Sequence, residues 1–219
     1  MPTPPPDRFL GQNPPSNAQN VPSHGMHAGD VLGFSGRCWL GVLVNLATWG
    51  RPLIDISHVA IVAPLHSDDP DRLVLWESRH DSPAPCLFAG EPVEGMQAHE
   101  IEATIEAYRG RVYRYPIARS VTRHSAAKLA AYLRAFARRR IPYDYLGAVR
   151  ARGACCGWVR RLILRSPESL AALYCSELVP AALRSIGEFR TRNASAWSPN
   201  RLCRALVRRG CHGPRIRQK

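Results

Sequence analysis

The chain has 219 residues, ordinary apolar content and a formal net charge of +13, which allows one substantial domain with a real core. Its longest apolar run, Cys38 to Trp49, is too short and interrupted to cross a bilayer, so no transmembrane segment is expected. The charge is uneven: residues 1–108 hold 5 Lys/Arg against 13 Asp/Glu, residues 109–165 hold 15 against 1, and residues 166–219 hold 10 against 3. A basic second half predicts an anionic partner surface, such as lipid headgroups, an acidic envelope polymer or nucleic acid. The competing explanation is an Arg-rich composition spread over solvated helix faces. The seven cysteines show no paired CxxC spacing. With no signal peptide, they predict free thiols in a reducing compartment, a cytoplasmic address, and no metal or other cofactor.

Residues 1–27 are Pro-rich and polar and predict a disordered leader. Residues 28–209 then form one domain, and residues 210–219 a basic tail. Val31-Leu32-Gly33-Phe34 predicts a short strand, and Trp39 to Trp49 an apolar helix closed by Gly50. Ile56 to Ala63 and Arg72 to Ser78 are rich in β-branched and apolar residues around a polar turn, which predicts an antiparallel hairpin. Both strands are apolar on both faces, so the sheet should be covered on both sides. His58 and Glu77 interrupt that apolar pattern, and their side chains would lie about 5 Å apart if the register set them opposite. Next come a strand from Met96, a short helix through Tyr108, and a strand over Arg111 to Ile117. Helices follow at Ser125 to Arg140, Trp158 to Leu164, from Cys175 onward, and at Asn200 to Arg209.

Cys175 stands where the helix-period run Leu178, Val179, Ala182, Leu183 and Ile186 begins. A thiol in a first helical turn meets the positive end of the macrodipole and unpaired N–H groups, which favour the thiolate. The other reading is a small buried core residue. Nucleophilic catalysis by a thiol needs an imidazole to move its proton and a group to orient that imidazole. His58 and Glu77 supply the two residue types. In that scheme Cys175 attacks a carbonyl carbon, His58 accepts and returns the proton, and Glu77 fixes the ring. The Cys175 N–H would stabilise the oxyanion.

Several stretches carry a family resemblance in order. They are Gly29-Asp30-Val31-Leu32, a Trp-containing helix, Ser57-His58-Val59-Ala60-Ile61-Val62, Trp76-Glu77-Ser78, Pro142-Tyr143-Asp144-Tyr145 and Tyr174-Cys175-Ser176-Glu177-Leu178-Val179. Together these resemble the permuted NlpC/P60 cysteine hydrolases, the YiiX/YebB-like members of the papain-like superfamily. In that family a circular permutation sets His before Cys in the chain, as here. The resemblance spans roughly residues 29–209. It implies an α+β, papain-like fold with a central antiparallel sheet packed by helices. It also implies a cysteine peptidase or amidase acting on amide bonds in cell-wall peptides, with Cys175 as nucleophile, His58 as base and Glu77 as orienter. Tyr143, Tyr145 and Tyr174 would line the substrate pocket. Related permuted branches transfer or hydrolyse acyl groups of lipids, so a lipid acyl hydrolase or acyltransferase is the alternative. A further alternative is a basic binding protein without activity, although no aromatic-interleaved basic motif for nucleic acid is present. Two features depart from the family pattern: Pro180 inside the nucleophile helix, where it should kink the chain, and a basic insertion from Cys155 to Leu173.

Overall fold

A computed structural model describes residues 25–35, 56–81, 84–117, 121–141, 175–191 and 193–211, and the backbone of Arg215–Ile216. The expected helices at Trp39–Trp49 and Trp158–Leu164 and the 155–173 insertion lie outside the described residues, as do Tyr143, Tyr145 and Tyr174.

The fold is α+β. Six strands, β1 (Val31–Ser35), β2 (His58–Pro64), β3 (Leu73–Arg79), β4 (Gly95–His99), β5 (Arg111–Tyr115) and β6 (Arg215–Ile216), form one sheet in the order β4-β3-β2-β1-β5-β6. Every neighbouring pair is antiparallel. The expected hairpin is present, with β2 and β3 paired from Ile61↔Trp76 to Pro64↔Leu73.

Alternation along the strands sorts their side chains onto two covered faces. Val59, Ile61, Ala63, Val74 and Trp76 meet Leu129 and Leu133 of helix α2 (Arg123–Arg138), Leu178, Val179 and Ala182 of α3 (Cys175–Ser185), and Leu202 and Leu206 of α4 (Pro199–Arg208). On the opposite face Ala60, Val62, Leu75, Leu32 and Phe34 pack against Ile101 and Ile105 of the short helix α1 (Ile101–Ala107). Two-sided burial explains why β2 and β3 are near-continuous apolar runs.

Three details differ from expectation. Helix α2 starts two residues earlier than Ser125, because Thr122 is its cap and its hydroxyl accepts the Ser125 N–H at 3.2 Å. Order reaches back into the leader: Met26 is buried, and the buried Asp30 accepts the His27 N–H at 3.0 Å. Arg114 donates both to Asp30, at 2.8 Å, and to the Gly25 carbonyl, at 2.7 Å. The basic tail contributes β6 by backbone pairing to β5, which leaves no hydrophobic pattern to read. Pro180 lies inside α3, as the sequence places it, and the helix runs on to Ser185. Proline lacks the N–H that would bond the Ser176 carbonyl and its ring crowds that carbonyl, but the helix is buried from Cys175 through Leu183, and that packing offsets the cost.

Charge follows the layers. Among the described residues, the three helices α2–α4 and their flanking segments carry 12 Lys/Arg against 2 Asp/Glu, while the described residues up to 117 carry 5 against 11.

Candidate active site

His58 is the first residue of β2, at the end of the strand where pairing with β3 has not yet begun. The register Ile61↔Trp76, continued toward His58, puts Glu77 across from Ala60 rather than His58. The two therefore meet as a diagonal pair on one face. Their side chains close the offset: His58 Nε2 lies 2.6 Å from Glu77 Oε2. With that nitrogen directed to the carboxylate, Nδ1 is the one left for a second partner. The Cys175 thiol, at the first residue of α3, is hydrogen-bonded to the His58 ring. The three residues singled out in the sequence thus form one hydrogen-bonded chain from α3 through β2 to β3.

The start of α3 is pinned from below. The Ser176 hydroxyl donates to the Trp197 carbonyl at 2.8 Å, and the Ser195 hydroxyl donates to the buried Glu177 carboxylate. Ser195 belongs to a 3-10 turn (Ala194–Ala196) that Asn193 caps through the Ser195 N–H at 2.9 Å. At the other side of the site, the Asn200 side chain on α4 accepts the Ile56 N–H at 2.9 Å, which fixes the entry into β2. The polypeptide ends that carry Cys175 and His58 are thereby tied to the same neighbouring segment.

The electrostatics favour an ion pair. Burial disfavours a charged ring at His58. The Cys175 thiolate outweighs it by charge and hydrogen bond, and Glu77 adds the same two effects, so the ring's pKa is pushed up to about 10. Burial likewise favours a neutral thiol at Cys175. The charge and hydrogen bond of His58, with the Val59 and Ser176 N–H groups, reverse that preference and lower the thiol's pKa. Glu77 is fully buried, which opposes ionisation, yet hydrogen bonds from His58 and His99 and the nearby positive charges hold it at about 2. Cys203 supplies the contrast. It is an equally buried thiol near Cys175, hydrogen-bonded to Tyr115, and burial pushes it up to about 12. Of the two, only Cys175 has an imidazole beside it.

The arrangement can hold a thiolate beside a proton donor in a largely buried setting. The ring is one-fifth exposed and Cys175 one-twentieth, which leaves a narrow approach. The Val59 N–H, beyond the last β2–β3 pair, points to the thiol and is an additional backbone donor at the reacting atoms. A cavity of about 600 Å³ lined by Arg184, Phe189, Arg190 and Thr191 lies at the far end of α3, away from Cys175. Among the described residues no group of three or more His, Cys, Asp or Glu is arranged to hold a metal ion.

Two contributors were not anticipated. His99 of β4 places Nδ1 3.0 Å from Glu77 Oε1, and Arg79 of β3 places a guanidinium nitrogen 3.8 Å from the same oxygen. Gln97 and His99 alternate with Met96 and Ala98 on β4, a pattern that reads as a solvent face. Both polar residues are instead buried.

No family model matches the chain, and no curated protein matches it.

Proposed function

We propose that the protein is a cysteine hydrolase that cleaves an amide bond, with Cys175 as nucleophile, His58 as proton carrier and Glu77 as the group that orients and charges the ring. The observation that carries this reading is the hydrogen-bonded chain Cys175–His58–Glu77, with the thiol's pKa lowered and the ring's raised. The thiolate adds to the carbonyl carbon, and the carbonyl electron pair moves to oxygen, where backbone N–H donors stabilise it. As the C–N bond breaks, the His58 imidazolium gives its proton to the leaving nitrogen, and an acyl thioester remains on Cys175. Neutral His58 then takes a proton from water, whose oxygen attacks the thioester. The C–S bond breaks, and the thiolate and imidazolium are restored.

The order of motifs resembles that of permuted NlpC/P60 hydrolases, and by that resemblance the substrate is a cell-wall peptide and the fold a permuted papain-like one. The basic helical layer suits a substrate held on an anionic surface.

Wild type and Cys175→Ser incubated with cell-wall peptides and with phospholipids test the substrate. The expected result is Cys175-dependent release of a free amine from the peptides. Release of fatty acid instead would transfer the same site to lipid acyl chemistry. Iodoacetamide labelling tests the nucleophile: Cys175 should react much faster near neutral pH than the other six cysteines, and His58→Ala should remove the difference. Uniform labelling across all seven would overturn the assignment.

A further inference from the structure

Glu77 is held from both of its oxygens, by imidazoles on two different strands. Oε2 meets His58 Nε2 at 2.6 Å and Oε1 meets His99 Nδ1 at 3.0 Å. Both contacts are diagonal, because β3–β4 pairing sets Leu75 opposite His99 and Glu77 opposite Gln97. The result is a row of three polar side chains across β2, β3 and β4 on one sheet face, beside the buried Gln97 opposite Glu77 and the apolar Leu75, Ala60 and Val62. A carboxylate only accepts hydrogen bonds, so Nδ1 must carry the proton in the His99 contact. His99 Nε2 is buried and has no hydrogen-bond partner among the described residues. The buried ring's one hydrogen bond there is the one it makes to Glu77.

A buried polar ring costs stability unless its partners repay the lost hydration. His99 sits on the edge strand at 5% exposure with a single bond directed at the proposed catalytic carboxylate. We propose that His99 is a positioning residue of the site. It fixes the rotation of the Glu77 carboxylate so that Oε2 stays on His58, and thereby sustains the His58–Cys175 ion pair. This rests on the reading of Cys175 as nucleophile given above. His99 does not touch the thiol and reaches it only through Glu77 and His58. Arg79, 3.8 Å from Oε1, supplies charge from the same side, but it is shared with Asp81, to which it donates twice at 3.1 Å. Arg79 is therefore a weaker director of the carboxylate than the His99 donor at 3.0 Å.

The test reads the alkylation rate of Cys175 against pH in the full-length protein, by mass spectrometry of its peptide. The groups facing the carboxylate are His58 from β2, Arg79 on its own strand with Asp81 behind it, and His99 from β4. Tyr108, after α1, faces Arg79. His99→Leu should slow alkylation at pH 6 by about tenfold, the scale of one hydrogen bond to a charged group. It should also move the midpoint of the pH profile upward. His99→Asn, whose amide nitrogen can take the place of Nδ1, should restore most of the rate and the wild-type midpoint.

A second measurement guards against a fold defect. In a Glu77→Ala background, His99→Leu should add little, because its route to the thiol is already cut. A folded His99→Leu protein with the wild-type pH profile would overturn the proposal, as would additive effects in the double mutant. If wild-type Cys175 showed no His58-dependent reactivity, the hydrolase reading itself would fall and this inference with it. A wild type that passes while His99→Leu changes nothing removes the His99 role alone.

Discussion

Glu77 is where stability and proposed chemistry share one proton balance. Its carboxyl is held at about 2 in the folded chain against an ordinary 4.5. A depressed carboxyl stabilises the fold above its unfolded pKa, and that stabilisation is lost as pH falls from about 4.5 toward 2. Wild type should therefore lose up to about 3 kcal/mol across that window in denaturant titrations, a ceiling set by the size of the shift. Glu77→Gln should show a flatter profile there. The same substitution acts on the dyad in the opposite pH range. His58, raised to about 10, holds its proton until alkaline pH, so the rate should plateau from below the ordinary thiol range up to a fall near pH 10. The two limbs belong to the coupled pair and not to single residues. Glu77→Gln removes the charge that keeps the ring protonated. It should lower kcat/KM by about 10²-fold or more and move the alkaline limb downward. A pH–rate profile with an unmoved alkaline limb would show that the carboxylate does not set the ring's charge.

At the scale of elements, the site depends on strand ends and a helix start meeting correctly, and β1 has a part in that. Gly33 lies opposite both Val59 of β2 and Tyr113 of β5. A methyl group there would sit 2.9 Å from the Tyr115 ring and 3.3 Å from Ile56. Tyr115 is the hydrogen-bond partner of Cys203, and Ile56 is anchored by Asn200. Gly33→Ala should accordingly cost about 1–3 kcal/mol by overpacking, read as a lower Tm, and should disturb the entry into β2 just before His58. Pro180 turns out to be an element-scale question with a packing answer. Proline removes one hydrogen bond, but the first turn with Cys175 is fixed through Ser176, Glu177 and the 3-10 turn, none of which involves the Pro180 nitrogen. Elements with strong periodicity, such as α2, α4, β2 and β3, were legible within about two residues. The cap at Thr122 and the two-residue β6 were not, because one depends on a single side-chain bond and the other on backbone groups that every residue carries.

Across the whole molecule, the charge asymmetry of the chain becomes an asymmetry of layers. Helix α2 has Arg123, His124, Lys128 and Arg138 exposed and no acidic residue, with Arg139 and Arg140 exposed just past its end, and α4 and its C-cap present Arg204, Arg208 and Arg209. An Arg-rich composition alone would not also remove the acids from this layer and collect them in the rest of the fold. The layer should bind vesicles containing anionic lipid with an affinity that falls steeply as salt rises through the physiological range. Charge reversal at Arg138 and Arg139 should weaken that binding while leaving Cys175 labelling unchanged. Equal binding to neutral vesicles would count against an electrostatic face. No helix among the described residues is long and apolar enough to cross a membrane.

Residue types and local periodicity were enough to single out Cys175, His58 and Glu77, because a thiol at a helix start and polar groups inside apolar strands break local patterns. The same information yielded the individual strands and helices, the β2–β3 hairpin and the basic second half, while the α+β class came from the ordered motifs and the family they resemble. The tertiary structure alone decided that His58 and Glu77 meet diagonally, that Asn200 and Ser195 hold the two ends of the site, and that His99 is buried against Glu77. Each of those depends on register or on contacts between residues distant in the chain. A strand residue's face is set by its neighbours' pairing, so a polar side chain alternating with apolar ones reads as exposed until the partner that buries it is in place.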